Sequence, residues 1–283
     1  MAEVQKKKVL KNCVYHLLVC FGAFVMLYPL LWMIFSSFKP HEDVFAYGAR
    51  ILPVHWDFSN YSYGWSGFGG ITFATFFKNS FVISILSTIG AVASSALTAY
   101  GFSRIRFRGR NLWFVCMMLS MMLPSQVTMI PRYILFNRVG WVDTFLPRVV
   151  PSFFANPFFV FLMIQFIGGL PKELDDSAYL DGCSRFGIFR FIIVPLIVPA
   201  LATSTVFSFI WSWDDFMGPL LYLNKPLLYP VSMALRMYSD PTSLTNWGAM
   251  FAMSTLSLVP ILLLFIFCQK YLVEGISTTG LKG

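Results

Sequence analysis

Residues 170–195 read Leu-Pro-Lys-Glu-Leu-Asp-Asp-Ser-Ala-Tyr-Leu-Asp-Gly-Cys-Ser-Arg-Phe-Gly-Ile-Phe-Arg-Phe-Ile-Ile-Val-Pro, a polar island in an otherwise oily chain. Pro171 suits the first position of a helix, where a missing N–H costs nothing. Glu173, Asp175 and Asp176 then place negative charge at the positive end of that helix. Gly182 can take the left-handed conformation that closes a helix after about three turns. The stretch therefore predicts a compact rod from Glu173 to Gly182, including Tyr179, roughly ten residues and about 15 Å long. Leu174, Ser177, Ala178 and Asp181 fall at i, i+3, i+4 and i+7, a stripe whose small centre admits the backbone of another protein. The plainer reading of the same residues is a solvated acidic helix in an interhelical loop.

The surroundings of the island are those of a membrane protein. Of 283 residues, 57% are apolar and 12% charged, against roughly 25% charged in soluble domains. Val14–Phe38, Phe81–Ser103, Asn111–Pro131, Val149–Leu170, Phe191–Trp213 and Gly248–Gln269 each run without Lys, Arg, Asp or Glu, and about 20 such residues span a bilayer. The expected fold is all-α and integral to the membrane, with six transmembrane helices and the rod between the fourth and fifth. Residues 1–13 are expected to form an N-terminal tail, 14–270 one six-helix transmembrane bundle with the polar loop at 170–195, and 271–283 a C-terminal tail.

The net charge of +8 follows topology and calls for no nucleic acid. Lys6, Lys7, Lys8 and Lys11 precede the first span, Arg104, Arg106, Arg108 and Arg110 follow the second, and Lys172, Arg185 and Arg190 lie in the island. Basic residues accumulate on the cytoplasmic side, so the N-terminus, arginine loop, island and C-terminus are all expected there. The first apolar run continues through Tyr28, Pro29 and Trp32, too long for a cleavable signal. Cys13, Cys20, Cys116, Cys183 and Cys268 imply no disulfide framework, and His16, His41 and His55 have no metal-ligand spacing, so no metal and no disulfide are expected.

Lys39–Lys78, rich in glycine and aromatic residues, reads as a flexible outer loop. The Gly-x-x-x-x-Gly-Lys of a phosphate-binding loop occurs nowhere, so the chain is not expected to hydrolyse ATP or act as an enzyme. Small residues from Ser84 to Ala96 suit close helix packing in lipid. Pro124 and Pro131 interrupt or end the third span, and Pro195 and Pro199 lie in the fifth. Trp211, Trp213, Asp214 and Asp215 bring aromatic and acidic side chains together at the end of the fifth. By residue type alone they read as an interfacial aromatic belt with solvated acids. Arg236 and Asp240, in the loop beyond, are candidate contacts for an external partner.

Asp176-Ser177-Ala178, three residues, Gly182, nine residues, then Ile192-Ile193-Val194-Pro195 resembles the Glu-Ala-Ala loop of binding-protein-dependent ABC importers, with Asp176-Ser177 in place of Glu-Ala and Val194 in place of Leu. Trp213-Asp214-Asp215-Phe216 resembles the Trp-Asn-Asp/Glu-Phe of sugar-type permeases, which implies, against the interfacial-belt reading, a translocation-path site at Trp211, Trp213, Asp214 and Asp215 with rings for sugar faces and carboxylates for hydroxyls. Gly280–Gly283 resembles their Gly-rich end. The resemblance implies the following. The chain would be one permease of an importer of the maltose-transporter type, in a bacterial or archaeal plasma membrane, paired with a second homologous permease to form the path for a sugar or oligosaccharide. Glu173, Asp175, Asp176, Ser177, Ala178, Tyr179, Asp181 and Gly182 would couple it to two ATPase subunits, which hold the ATP and Mg; this subunit carries no cofactor. An extracytoplasmic solute-binding protein completes the assembly. Glycerol phosphate or a polyol is an alternative cargo. An ion-coupled secondary transporter is the rival class, and it wants ionisable residues in mid-span; the six segments hold only His16.

Overall fold

The computed structural model describes residues 2–46, 50–238 and 246–280, with side chains over 11–46, 50–238 and 246–272. Asp240 and the chain end at 281–283 lie outside the described residues. Those described are helical throughout apart from turns and one isolated bridge between Phe68 and Ile71. Four helices are long and apolar enough to cross a membrane, or up to six segments if each of two bent helix pairs is one span.

The chain divides into two compact units. The first, residues 1–72 and 235–258, contains α1 (Ala2–Ser36), α2 (Asp43–Ala46) and α3 (Ser59–Ser66). Leu17, Phe21 and Met26 of α1 are exposed, as side chains meeting lipid are. The glycine-rich segment after α1 is folded, contrary to the expected flexible loop. Asn60 is buried and donates its amide to the carbonyls of Ser37 (3.0 Å) and Lys39 (2.8 Å). Lys39 donates in turn to Arg50 O at 2.7 Å. These bonds satisfy backbone that leaves a helix end. Gly64 accepts from the Tyr238 hydroxyl, and a Cβ there would collide with Met253.

The second unit, residues 73–234 and 259–283, is built on α4 (Phe73–Arg104). Its further helices are α5 (Arg110–Met121), α6 (Ser125–Arg138), α7 (Leu146–Val149), α8 (Pro157–Gly168), α9 (Glu173–Leu180), α10 (Arg185–Ile188), α11 (Val194–Leu196), α12 (Val198–Trp213) and α13 (Met217–Tyr222). α14 (Val231–Tyr238) and α15 (Trp247–Gly280) close the chain, each with residues in both units. α4 packs against α8 and α12 along its small face, where Ser84, Ser87, Ala91, Ser95 and Ala96 are buried. A Cβ on Gly90 would lie 2.6 Å from the Phe153 ring. Small residues let helices approach without a hydrophobic driving force, which lipid does not supply.

The same face supports a break. Between the 3₁₀ turn Val150–Phe154 and α8 the chain turns through Ala155 at φ +62°, a left-handed conformation for a non-glycine residue. The freed N–H groups of Ala155 and Asn156 donate to the hydroxyls of Ser94 and Ser95, each at 2.9 Å. Asn156 then caps α8, accepting from Phe158 N at 3.0 Å, with Pro157 as first residue. Irregular backbone persists at membrane depth only when protein groups satisfy it in this way.

Two proline-bearing spans are bent: Pro124 stands at the first bend as expected, whereas Pro131 lies inside α6 and does not end it. α5 and α6 meet at 99° across Met122–Pro124, and the α10–α11 segment meets α12 at 78° at Ile197. A π-helical turn at Phe189–Ile193 precedes the second bend. The third span therefore does not run unbroken from Asn111 to Pro131. The helical backbone also passes through the expected tails, since α1 starts at Ala2 and α15 continues to Gly280.

Candidate functional site

The predicted rod is α9, eight residues from Glu173 to Leu180. Pro171 stands two positions before its first residue rather than at it, and Lys172 occupies the cap position. Glu173, Asp175 and Asp176 fill the first turn, where the macrodipole favours negative charge. Gly182 has φ +82° and terminates the rod as expected. Its N–H reaches Tyr179 O at 3.1 Å, and Cys183 N reaches Ala178 O at 2.9 Å, a Schellman-like closure. Ser184 then caps α10 by accepting from Gly187 N at 3.1 Å.

α9 is pinned to the end of α4. Arg104 Nε lies 2.8 Å from Asp175 Oδ2, and Arg104 Nη2 donates to Leu170 O at 2.9 Å. The guanidinium side chain is 6% exposed and the carboxylate 16%. Burial holds the Asp175 carboxyl above the usual carboxylate range; Arg104 opposes that rise and the neighbouring Asp176 adds to it. Tyr100 donates to Arg185 O at 3.1 Å, a second tie between α4 and the loop.

Of the expected docking stripe, Leu174, Ser177 and Asp181 stay exposed and only Ala178 is buried. Ala178 is buried against Phe189, Ile188 and their neighbours in the core of its own chain, not offered to a partner. The exposed residues of the rod are Glu173, Leu174, Asp176, Ser177, Tyr179 and Leu180, with Asp181 and Gly182 exposed at its end. Tyr179 is 68% exposed and Leu180 85%, and two large apolar side chains held in the open mark a surface for contact.

The second expected site separates into parts. Trp213 is buried among Phe77, Phe81 and Phe209 and serves the core, correcting its reading as a path residue. Asp214 is exposed at the end of α12 and does not line the cavity described below. Asp215 pairs with Arg148 Nη2 at 2.7 Å and caps α13 by accepting from Gly218 N at 3.1 Å. A Cβ on Gly218 would strike the Asp215 carboxylate and lie 2.8 Å from Arg148 Cδ, so only glycine lets the pair close here. Trp211 alone of the four lines a cavity of about 470 Å³, with Ser208, Ser212, Asn156, Arg132 and Arg148 around it. It stacks on Phe159 at 5.4 Å and 14°.

Arg132 and Arg148 escaped the sequence reading because each lies one residue outside an uncharged segment. The structure places both within the apolar spans, Arg132 in α6 and Arg148 in α7, which corrects the expectation of spans free of ionisable groups. Their signal was present: a lone basic residue bordering a proline-interrupted apolar run.

All-helical architecture, several apolar spans and broken helices satisfied by protein groups define a multi-pass membrane protein. Residues 89–278 match the family described as binding-protein-dependent transport system inner membrane component, and the chain belongs to that family. It is 34% identical to the probable ABC transporter permease protein YurM of Bacillus subtilis (strain 168), over 90% of this chain and 84% of the relative. It is 32% identical to the arabinooligosaccharides transport system permease protein AraQ of Halalkalibacterium halodurans, over 93% and 94%. It is 30% identical to the trehalose/maltose transport system permease protein MalG of Thermococcus litoralis, over 98% and 99%. The fold resembles a chain of a solved bacterial ABC transporter involved in the import of the acidic polysaccharide alginate, with TM-score 0.82, 22% identity and coverage of 93% and 96%.

Proposed function

We propose that this chain is one of two permease subunits of an ATP-driven importer for a sugar or oligosaccharide, and that α9 couples it to the ATPase subunits. The two bent pairs each count as one span, giving six, with both termini and α9 in the cytoplasm. A second homologous permease completes the path, an extracytoplasmic binding protein delivers cargo, and ATP and Mg act on the partner ATPases. The observation that carries the reading is the geometry of α9: an exposed acidic rod, ended by a left-handed glycine and fixed by Arg104 to the longest helix of its unit. A rod held at both ends moves with α4 instead of yielding when pushed, so displacement at its open face reaches the bundle. The names of AraQ and MalG relatives, which concern oligosaccharides and disaccharides, support the cargo class. Trp211 and the serine hydroxyls around it suit a sugar ring, whose C–H face meets an aromatic plane and whose hydroxyls take hydrogen bonds.

The test is purification from native membrane in mild detergent, with partners identified by mass spectrometry and ATP hydrolysis measured with and without sugar-loaded binding protein. A second permease and an ATPase that co-purify, with hydrolysis stimulated by the loaded binding protein, are the expected result. A chain that purifies alone and transports on an ion gradient overturns the reading.

A further inference from the structure

The cavity beside Trp211 carries an uncompensated charge. Arg148 is matched by Asp215 at 2.7 Å and locked against Gly218, so that guanidinium is already neutralised. Arg132 lines the same cavity and is exposed, yet among the described residues no carboxylate lies within ion-pair distance of it. A guanidinium does not give up its proton in a protein. An ionisable side chain within a span is costly, faces an aqueous pathway and is held there for a partner charge. The remaining polar lining, Ser208, Ser212 and Asn156 among it, is uncharged. The complement of such a lining is a body of hydroxyls and C–H faces bearing one anionic group, and the volume lies within the roughly 300–1,000 Å³ of small-molecule sites.

We infer that the cavity selects an acidic saccharide, a sugar unit whose carboxylate pairs with Arg132 while its ring lies against Trp211. This rests on the sugar-permease reading above. A carboxylate fits better than a diffuse negative charge because the guanidinium presents paired N–H donors in one plane, matched to two carboxylate oxygens.

The experiment uses the full chain purified with its partner subunits in lipid nanodiscs, titrated calorimetrically with a galacturonate disaccharide, with the same disaccharide reduced to its neutral form, and with glycerol phosphate. The expected result is binding of the uronate about tenfold tighter than the neutral sugar, a preference that collapses toward parity in Arg132→Gln, is partly restored in Arg132→Lys, and weakens with added salt. Equal binding of acidic and neutral disaccharides overturns the inference and leaves the sugar reading standing. Tighter binding of glycerol phosphate than of the uronate overturns the carboxylate assignment. Loss of the second permease from the purified Arg132→Gln complex also overturns it, since Arg132 then pairs with that subunit. No response to either sugar from a complex with intact ATP hydrolysis overturns the sugar reading itself.

Discussion

Arg104 Nε and Asp175 Oδ2 lie 2.8 Å apart, joining the last residue of α4 to the first turn of α9. Removing one partner of a buried pair costs about 3 kcal/mol or more, because the remaining charge keeps its desolvation penalty and loses its compensation. Arg104→Ala also orphans Leu170 O, so it should lower the unfolding temperature of the detergent-solubilised protein more than Asp175→Asn, which leaves the bond from Arg104 Nη2 to Leu170 O in place. Scanning calorimetry of both variants and the double mutant checks the order.

The pair has a pH signature. The Asp175 carboxyl sits above its ordinary value of 3.8, chiefly through burial. A group raised in the folded state binds its proton more tightly there than in the unfolded chain, so its contribution is present below the ordinary value and is lost as pH rises through the raised one. Without Arg104 the carboxyl rises further. The destabilisation of Arg104→Ala should therefore be smaller in the acid range just above the ordinary carboxylate value than at pH 7. Unfolding temperatures of wild type and variant across that range test it; a deficit independent of pH contradicts it.

Gly182 at φ +82° has open space where a Cβ would stand. The cost of a side chain there is backbone strain alone, about 1–3 kcal/mol for a β-branched residue. Gly182→Val should misdirect the chain after α9 and release ATP hydrolysis from transport, while Gly182→Asn, which tolerates the left-handed region, keeps both. Parallel uptake and hydrolysis assays in proteoliposomes distinguish them.

Gly218→Ala tests the opposite case, where the backbone is ordinary and space is missing. Its Cβ would press on the Asp215 carboxylate and Arg148. Overpacking costs about 1–3 kcal/mol, and the ion pair has to open to relieve it. Thermal unfolding and substrate uptake should both suffer.

Trp211 and Trp213 should separate cleanly. Trp213→Ala empties a buried site packed against Phe81 at 4.9 Å and should cost about 3–5 kcal/mol of stability. Trp211→Ala leaves a cavity wall that is half exposed, and its loss should fall on transport more than on unfolding temperature.

That pair also shows where sequence reasoning stops. Two residues apart on a helix, the side chains point about 200° apart, and only the packing of α12 on α4 decides which faces the cavity. Local chemistry was readable: acids at the start of α9, glycine at its end, prolines at the bends and small residues along α4 all act within a few residues of themselves. Ala178 was readable as small but not as buried, because its direction is set by Arg104, distant in sequence. The Lys39–Lys78 stretch looked loose because its order comes from Asn60 bonding to carbonyls more than twenty residues earlier, which no local pattern displays. Arg132 and Arg148 were hidden by counting uncharged runs: Arg132 lies in a span bent by 99°, and Arg148 is held by the carboxylate of Asp215, distant in sequence.

The central claim is that the open face of α9 meets an ATPase subunit, and photo-crosslinking from position 180 tests it most directly. A genetically encoded photo-reactive residue replacing Leu180 avoids the exposed native thiols of Cys13, Cys20 and Cys116. Irradiation in native membrane should give an adduct with an ATPase subunit, lost when Arg104→Ala frees the rod. An adduct with the solute-binding protein, or none with any ATPase in an intact complex, would contradict the coupling role of α9.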